Sequence, residues 1–347
     1  MNLSSSDQLG FGFDALPPSD MSVSPPAAAA ARKRKSLPTL PATPAGWPDA
    51  EGVARQLEQH PDYRVLRRLQ PSLAFPQQAP GPRVRLLVLD SETTGLNPAR
   101  DKLVELAMLR FEVDLSTGQP VGPLEVYGGL DDPGMPMPGE AQAITGISDE
   151  MLRGQRLDEA RIATMLDGVD LVLAHNAGFD RPFVEARLPQ FALVDWACSF
   201  AGIDWKLEGR SSAKLSSLAM ELGWFYDAHR AEMDCHALLA VLSPALPVSP
   251  GTGLLRLIHS AQLPFYRLQA SAAPFEAKEL LKARGYRWDS ANKVWHIGLA
   301  GRPAFEAECG WLKAAVYAGR PARLQFEQHD ARTQYSTRAG RLGWQEL

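Results

Sequence analysis

Cysteine is scarce in this sequence of 347 residues: Cys198, Cys235 and Cys309 stand apart, with no Cys-x-x-Cys pair. Such spacing supplies neither a disulfide framework nor a cysteine zinc site, and it suits a reducing compartment. Long apolar runs are also missing, since none reaches the ~18 residues that would span a bilayer. The N-terminal stretch is polar and acidic, without the basic start and apolar core of a secretory signal. A soluble, cytoplasmic protein with no membrane partner is expected.

The net charge of −4 conceals an uneven distribution. Residues 1–83 carry 9 basic and 7 acidic side chains, residues 84–243 carry 13 and 25, and residues 244–347 carry 14 and 8. An acidic middle suits a site whose bound cations supply the positive charge. A basic C-terminal part suits phosphate contacts, although an ordinary solvated surface has the same bias.

Residues 1–46 are rich in Ser, Pro and Ala and bury too little apolar surface to order themselves, so a disordered tail is expected. Its cluster Arg32-Lys33-Arg34-Lys35 reads as a solubilising patch, with nucleic-acid contact or targeting as the alternatives. Residues 47–83 are expected to form a helical pair and a Pro-rich linker. The first helix starts at Pro48-Asp49-Ala50-Glu51, the second carries Tyr63, Val65, Leu66 and Leu69, and Pro61-Asp62 divides them. Residues 84–243 form the next unit, and residues 252–347 a small basic α+β accessory domain. There, 275–283 has helical periodicity and 285–296 reads as a hairpin turning at 289–292. Its Tyr286, Trp288 and Trp295 can stack on bases, but most of these rings read as the core of the small domain. Residues 320–347 show no clear pattern.

The informative stretch is Val84-Arg85-Leu86-Leu87-Val88-Leu89-Asp90-Ser91-Glu92-Thr93-Thr94-Gly95. An apolar run this short reads as a buried strand. Alternation along it puts Asp90 and Glu92 on one face, where two desolvated acids repel and call for a cation. Two further groups of polar residues follow in order. His175-Asn176-Ala177-Gly178-Phe179-Asp180 comes after the apolar run at 169–174. His229-Arg230-Ala231-Glu232-Met233-Asp234 opens a helical pattern that continues to Leu242.

With these three motifs in this order, residues 84–243 resemble the DnaQ-like 3′–5′ exonucleases, in the subgroup with a catalytic histidine (DEDDh), a family that includes the proofreading subunit of bacterial DNA polymerase III. The resemblance implies an α/β, ribonuclease H-like mixed sheet flanked by helices. The pattern of residues agrees: strands at 84–90, 103–113 and 121–129 form a meander, then helices at 156–166 and 178–188 alternate with strands at 169–174 and 191–195. Helices at 214–222 and 229–242 complete it. Trp196 stands where the family more often has a threonine.

The resemblance also implies roles. Asp90, Glu92, Asp180 and Asp234 would hold two Mg2+ or Mn2+ ions, a choice that suits hard oxygen ligands. Asp90 would bridge both ions, Glu92 and Asp234 would hold the one nearer the attacking water, and Asp180 the one on the leaving-group side. His229 would be the general base, since imidazole ordinarily titrates near neutral pH. It lies five residues before Asp234, off the helix face, so it is expected in a loop at the helix start. The sister subgroup places a tyrosine four residues before this aspartate, and that position here is Arg230. His175 is read as structural. Thr93, Thr94 and Leu96 would line the pocket for the terminal nucleotide. The implied activity is release of nucleoside monophosphates from 3′ ends, with single-stranded DNA as the partner and a polymerase subunit as a further one. RNA trimming and a role chiefly as a polymerase-binding subunit remain the alternatives.

Overall fold

The computed structural model describes residues 49–77 and 81–347. The expected tail over 1–46, with its basic cluster, lies outside the described residues. The chain divides into two units, Met1–Gln56 and Leu57–Leu347. In the first, helix α1 (Ala50–Glu58) begins where expected, capped by the Asp49 carboxylate, which accepts from the Gly52 N–H at 3.0 Å.

All further elements belong to the second unit. The expected helix over 63–70 is not formed. Arg67–Arg68 is instead a short strand, β1, paired in parallel with Trp224–Phe225. The Arg67 and Leu69 N–H groups donate to the Gly223 and Phe225 carbonyls at 2.9 and 2.8 Å, and Leu69 is buried in the main core. Tertiary pairing here overrides a helical spacing that is only a weak prior.

Strands β2 (Arg83–Thr93), β3 (Leu103–Asp114) and β4 (Gln119–Leu130) form the antiparallel meander. Helices α2 (Gly139–Thr145), α3 (Asp149–Leu152) and α4 (Glu159–Leu166) lead to β5 (Leu171–Ala174), which pairs with β2 in parallel. Helix α5 (Ala177–Arg187) returns the chain to β6 (Asp195–Cys198), parallel to β5. That last strand starts later than the 191–195 expected, because Pro189–Leu193 is a 3-10 turn whose Phe191 carbonyl accepts the Trp196 indole N–H at 3.2 Å. The sheet order β4-β3-β2-β5-β6 makes β2 central.

The apolar run of β2 follows from this place. Leu86, Leu87, Val88 and Leu89 have no exposed surface. Alternation sends Leu86 and Val88 into one core and Leu87 and Leu89 into another. The second core holds α4 and α5. The first holds α6 (Ser199–Gly202) at its margin, then α7 (Leu215–Glu221), β7 (Trp224–Phe225), α8 (Ala231–Leu242) and α9 (Gly253–Ala261). The result is the ribonuclease H-like mixed sheet flanked by helices that the resemblance implies. Leu254, Leu257 and Ile258 of α9, past the expected boundary at 252, pack in the first core.

Beyond α9 a second, antiparallel sheet has the order β12-β11-β8-β10-β9. It comprises β8 (Phe265–Ala270), α10 (Lys278–Arg284), β9 (Arg287–Asp289), β10 (Val294–Ala300), α11 (Gly301–Trp311), β11 (Arg323–His329) and β12 (Arg341–Glu346). The hairpin turn is as expected: the Asp289 carboxylate accepts from the Ala291 and Asn292 N–H groups at 3.1 and 3.0 Å. Strands β11 and β12 fall where no pattern was discerned. Tyr266, Leu268, Tyr286, Phe305 and Leu324 form a separate core. No helix among the described residues is long and apolar enough to cross a membrane.

The segment 330–338 joins this second sheet to α5. Arg181, wholly buried, donates to the carbonyls of Ala331, Gln334 and Arg332 at 2.9, 2.7 and 2.5 Å and pairs with Glu185 at 2.6 Å. Its guanidinium lies 5.2 Å from the Trp196 ring, and the Trp196 N–H donates to the Ala331 carbonyl at 2.9 Å. Removing Arg181 leaves Glu185 and the carbonyls of Ala331, Arg332 and Gln334 without that donor, and a cavity under the turn. Arg181→Ala is expected to cost about 3–5 kcal/mol, the range for breaking a buried ion pair. Denaturant unfolding of the full chain checks this, and a loss below about 1 kcal/mol would show that the junction is not tightly packed.

Candidate active site

The C-terminal end of β2 carries the first two acids. Asp90 and Glu92 share the face covered by α8, and Asp234 comes up from the first turn of that helix. One oxygen of each of the three lies within 4.8 Å of the others. Asp180 is not in that triplet. It sits buried in the first turn of α5 and accepts from the Ser91 hydroxyl at 2.7 Å. Ser91, on the opposite face of β2, thus ties the second helix to the same strand end.

Both helices enter through a left-handed residue. Asn176 has φ 71° before α5, and His229 has φ 65° before α8. Asn and His are among the few non-glycine residues that adopt this region readily, at a cost of about 1 kcal/mol. At the second entry the Arg230 N–H donates to the Asp234 carboxylate at 3.1 Å. His229 is left exposed beside the acids in a loop, as its spacing predicts.

Several residues at the site went unread in the sequence. The Tyr226 hydroxyl donates to Asp234 at 3.0 Å. Glu105 of β3 stands opposite Glu92 in the sheet register and accepts from the Arg230 guanidinium at 3.1 Å and the Ala231 N–H at 3.3 Å. It caps the start of α8 from a neighbouring strand. A carboxylate within the apolar stretch Leu103-Val104-Glu105-Leu106 was the available signal; Tyr226 carried none.

The electrostatics follow from burial. Desolvation raises the Asp90 carboxyl well above the ordinary range, and the charges of Asp180, Asp234, Glu92 and Glu105 add to it. Burial, then Asp234 and Glu105, push Glu92 up to about 8. Burial raises Asp180 to about 7 against the opposing bond from Ser91. Asp234 is also raised by burial, although Tyr226 and the Arg230 N–H oppose it. A bound cation would neutralise this repulsion, and because protons compete for the same carboxylates its binding would release protons and strengthen with pH. The donor set is all oxygen, which fits a hard divalent ion.

The residues expected to line a nucleotide pocket lie at the end of β2 and in the loop after it. The Thr93 hydroxyl donates to the Gly95 carbonyl at 2.6 Å, and Thr94 accepts from the Lys102 N–H at 2.9 Å. Both are buried and hold the loop after β2, whereas Leu96 is 69% exposed. Gly95 lets the loop pass close to Asp101, since a Cβ would lie 2.5 Å from that carboxylate and push it aside. His175 bonds to the Ser199 hydroxyl at 2.7 Å and packs edge-on against Phe200. Burial lowers it to about 4, so it is neutral near pH 7.

Comparison with known proteins bears on this arrangement. Residues 87–242 match the family model described as Exonuclease. The PolC-type DNA polymerase III of Thermotoga maritima is 28% identical over 186 residues, covering 51% of this chain but only 13% of that polymerase. DNA polymerase III subunit epsilon of Treponema pallidum is 28% identical over 170 residues, covering 46% of this chain and 75% of that subunit. Among solved structures, Exonuclease X in complex with 5′ overhanging duplex DNA covers 45% of this chain and 87% of its own, at 23% identity and a TM-score of 0.36. E. coli Exonuclease I in complex with a dA16 oligonucleotide covers 53% and 48%, at 21% identity and a TM-score of 0.38.

The cost of burying these acids beside one another has a measurable sign. An acid whose pKa is raised by folding contributes most to stability below its ordinary pKa, and loses that contribution as pH rises through the raised value. For Glu92 the window runs from 4.5 to about 8. With chelator present, Glu92→Gln is therefore expected to raise Tm at about pH 9, with the gain vanishing below about pH 4. Thermal unfolding across that range checks it, and an unchanged or lower Tm at high pH would contradict the repulsion.

Proposed function

We propose that this chain, whose residues 87–242 form an exonuclease-family domain, is a 3′–5′ exonuclease that releases nucleoside monophosphates from the 3′ ends of DNA, in proofreading or repair. The observation that carries the reading is the convergence of Asp90, Glu92 and Asp234, with Asp180 beside them. These four acids would hold two magnesium or manganese ions, which supply charge neutralisation and lower the pKa of water.

The chain's own residues provide the rest. His229, exposed at the entrance to α8, accepts the proton of the attacking water. Tyr226 and the Arg230 N–H fix both oxygens of Asp234, and Ser91 orients Asp180. Glu105 holds the start of α8, and with it the backbone that carries His229. Leu96 and the backbone of the loop after β2 meet the terminal nucleoside, while the buried hydroxyls of Thr93 and Thr94 keep that loop in shape. Apolar and backbone contacts of this kind read no base, so little sequence preference is expected. The names of the relatives favour a DNA polymerase as partner.

Full-length protein with Mg2+ or Mn2+ and 5′-labelled single strands of DNA and RNA tests the reading. A ladder shortening from the 3′ end is expected, lost with EDTA and in Asp90→Ala, with DNA preferred. Shortening of RNA alone would make the protein an exoribonuclease, and no ladder on either strand would reject the nuclease reading. His229→Ala is expected to slow single-turnover hydrolysis by about 10²–10⁴-fold, the usual weight of a general base. An unchanged rate would remove His229 from that role.

A further inference from the structure

The second sheet contains a cavity of about 480 Å3, between α10, the loop after β8 and the hairpin β9–β10. Six of its lining residues are Phe275, Lys278, Lys282, Trp288, Lys293 and Trp295. No carboxylate is among the described residues that line it. Two of its rings are far more exposed than a core reading allows: Phe275 at 76% and Trp288 at 50%. Tyr286 is in the core and Trp295 packs against it, as the sequence led one to expect for most of these rings, but Trp288 is not.

The geometry presents the rings as a platform. Trp288 and Trp295 are cross-strand partners, so both project from the same face of the sheet. Their centroids are 5.4 Å apart at 59°. Trp288 lies on the edge strand β9, which leaves its outer surface open. The Lys278 ammonium sits over the Phe275 ring, 4.6 Å from its centroid. Lys293 is in the hairpin turn, at φ 52°, and Lys282 points outward from α10 with only an exposed partner, Glu279, at 3.2 Å.

Exposed rings and ammonium groups around a cavity whose lining holds no carboxylate, with Lys282 also paired to the exposed Glu279 beside it, match a polymer with aromatic faces and an anionic backbone. We propose that this cavity binds single-stranded nucleic acid, with bases stacked on Trp288 and Phe275 and phosphates held by Lys278, Lys282 and Lys293. Stacking is tolerant of sequence because every base has a π face, and lysine contacts to phosphate carry no base information. The site therefore retains a strand without selecting one. The proposal rests on the exonuclease reading for the identity of the polymer, but on none of the residues that would cut it.

Binding without cleavage tests it. Full-length protein in EDTA is titrated against fluorescently labelled oligothymidylate and oligouridylate of about 20 nucleotides, longer than one stacking groove occupies. Trp288→Ala is expected to weaken binding about tenfold, and Trp288→Phe to restore most of it. Lys278→Gln and Lys282→Gln are each expected to reduce the slope of log K against log salt by about 0.7. Affinity and salt slope unchanged in variants that keep the parent Tm would overturn the proposal. So would equal affinity for polyglutamate, which would reduce the site to charge alone. The two oligonucleotides distinguish DNA from RNA as the occupant. Hydrolysis of the p-nitrophenyl ester of thymidine 5′-monophosphate by the unaltered chain, with Mn2+, tests the exonuclease reading separately. Its failure would sink that reading and leave the binding result standing.

Discussion

Four buried or half-buried carboxyl groups at one strand end repel each other, and much of the domain around them serves to keep them there. Asp90 illustrates the constraint: every cause acting on it raises its pKa, beginning with its own burial. Such a cluster disperses unless the backbone beneath it is rigid. The rigid part is β2, whose four consecutive buried residues fill a core on each face of the sheet. Helices α5 and α8 then aim their N-termini at the strand end, which places the positive ends of two helix dipoles beside Asp180 and Asp234. Neutral donors complete the arrangement. Ser91, Tyr226 and the Arg230 N–H orient the acids without neutralising them. Full positive charge is kept one step away, since Arg230 pairs with Glu105 rather than with the triplet. A lysine or arginine among the acids would relieve the repulsion and remove the need for a cation.

This arrangement was legible in the sequence where its parts are local. The apolar run before Asp90 gives a buried strand by length and composition, and strand alternation puts Glu92 beside Asp90. The exit of α8 from a loop at His229 follows from a spacing of five, which no helix face accommodates. Parts that depend on pairing between distant segments were not legible. Glu105 matters because the β2–β3 register sets it opposite Glu92, and register is not written in either strand alone. The stretch 63–70 has helical spacing, yet it forms a strand because Gly223 and Phe225 offer it backbone partners. Strands β11 and β12 are half-exposed, so their alternation is diluted by polar residues on both faces.

Trp196 shows how a departure from a family pattern can carry information. A threonine at that position could not supply the indole that caps Arg181. Arg181 in turn is the residue next to Asp180, and its guanidinium is clasped by carbonyls of 331–334, far along the chain. The first turn of α5 is thus fixed from both sides, by Ser91 through the acid and by the C-terminal segment through the adjacent arginine. Arg338 extends the clasp by pairing with Glu185 at 3.0 Å. The junction couples the end of the chain to one ligand of the acid cluster.

The same junction gives the charge distribution a physical reading. Residues 84–243 hold 25 acidic side chains against 13 basic ones, whereas residues 244–347 hold 14 basic against 8 acidic. An acidic surface around a cation site repels the phosphate backbone everywhere except at the bound cations, so on its own it captures a strand slowly and releases it readily. On the proposed reading, a basic sheet joined to α5 through residues 331–334 would offset that repulsion. Rigidity is essential to the argument, because a tethered but mobile basic domain would raise the local concentration of nucleic acid without directing its end. If the chain acts as proposed, the buried guanidinium of Arg181 is the contact through which the basic part would help position a strand.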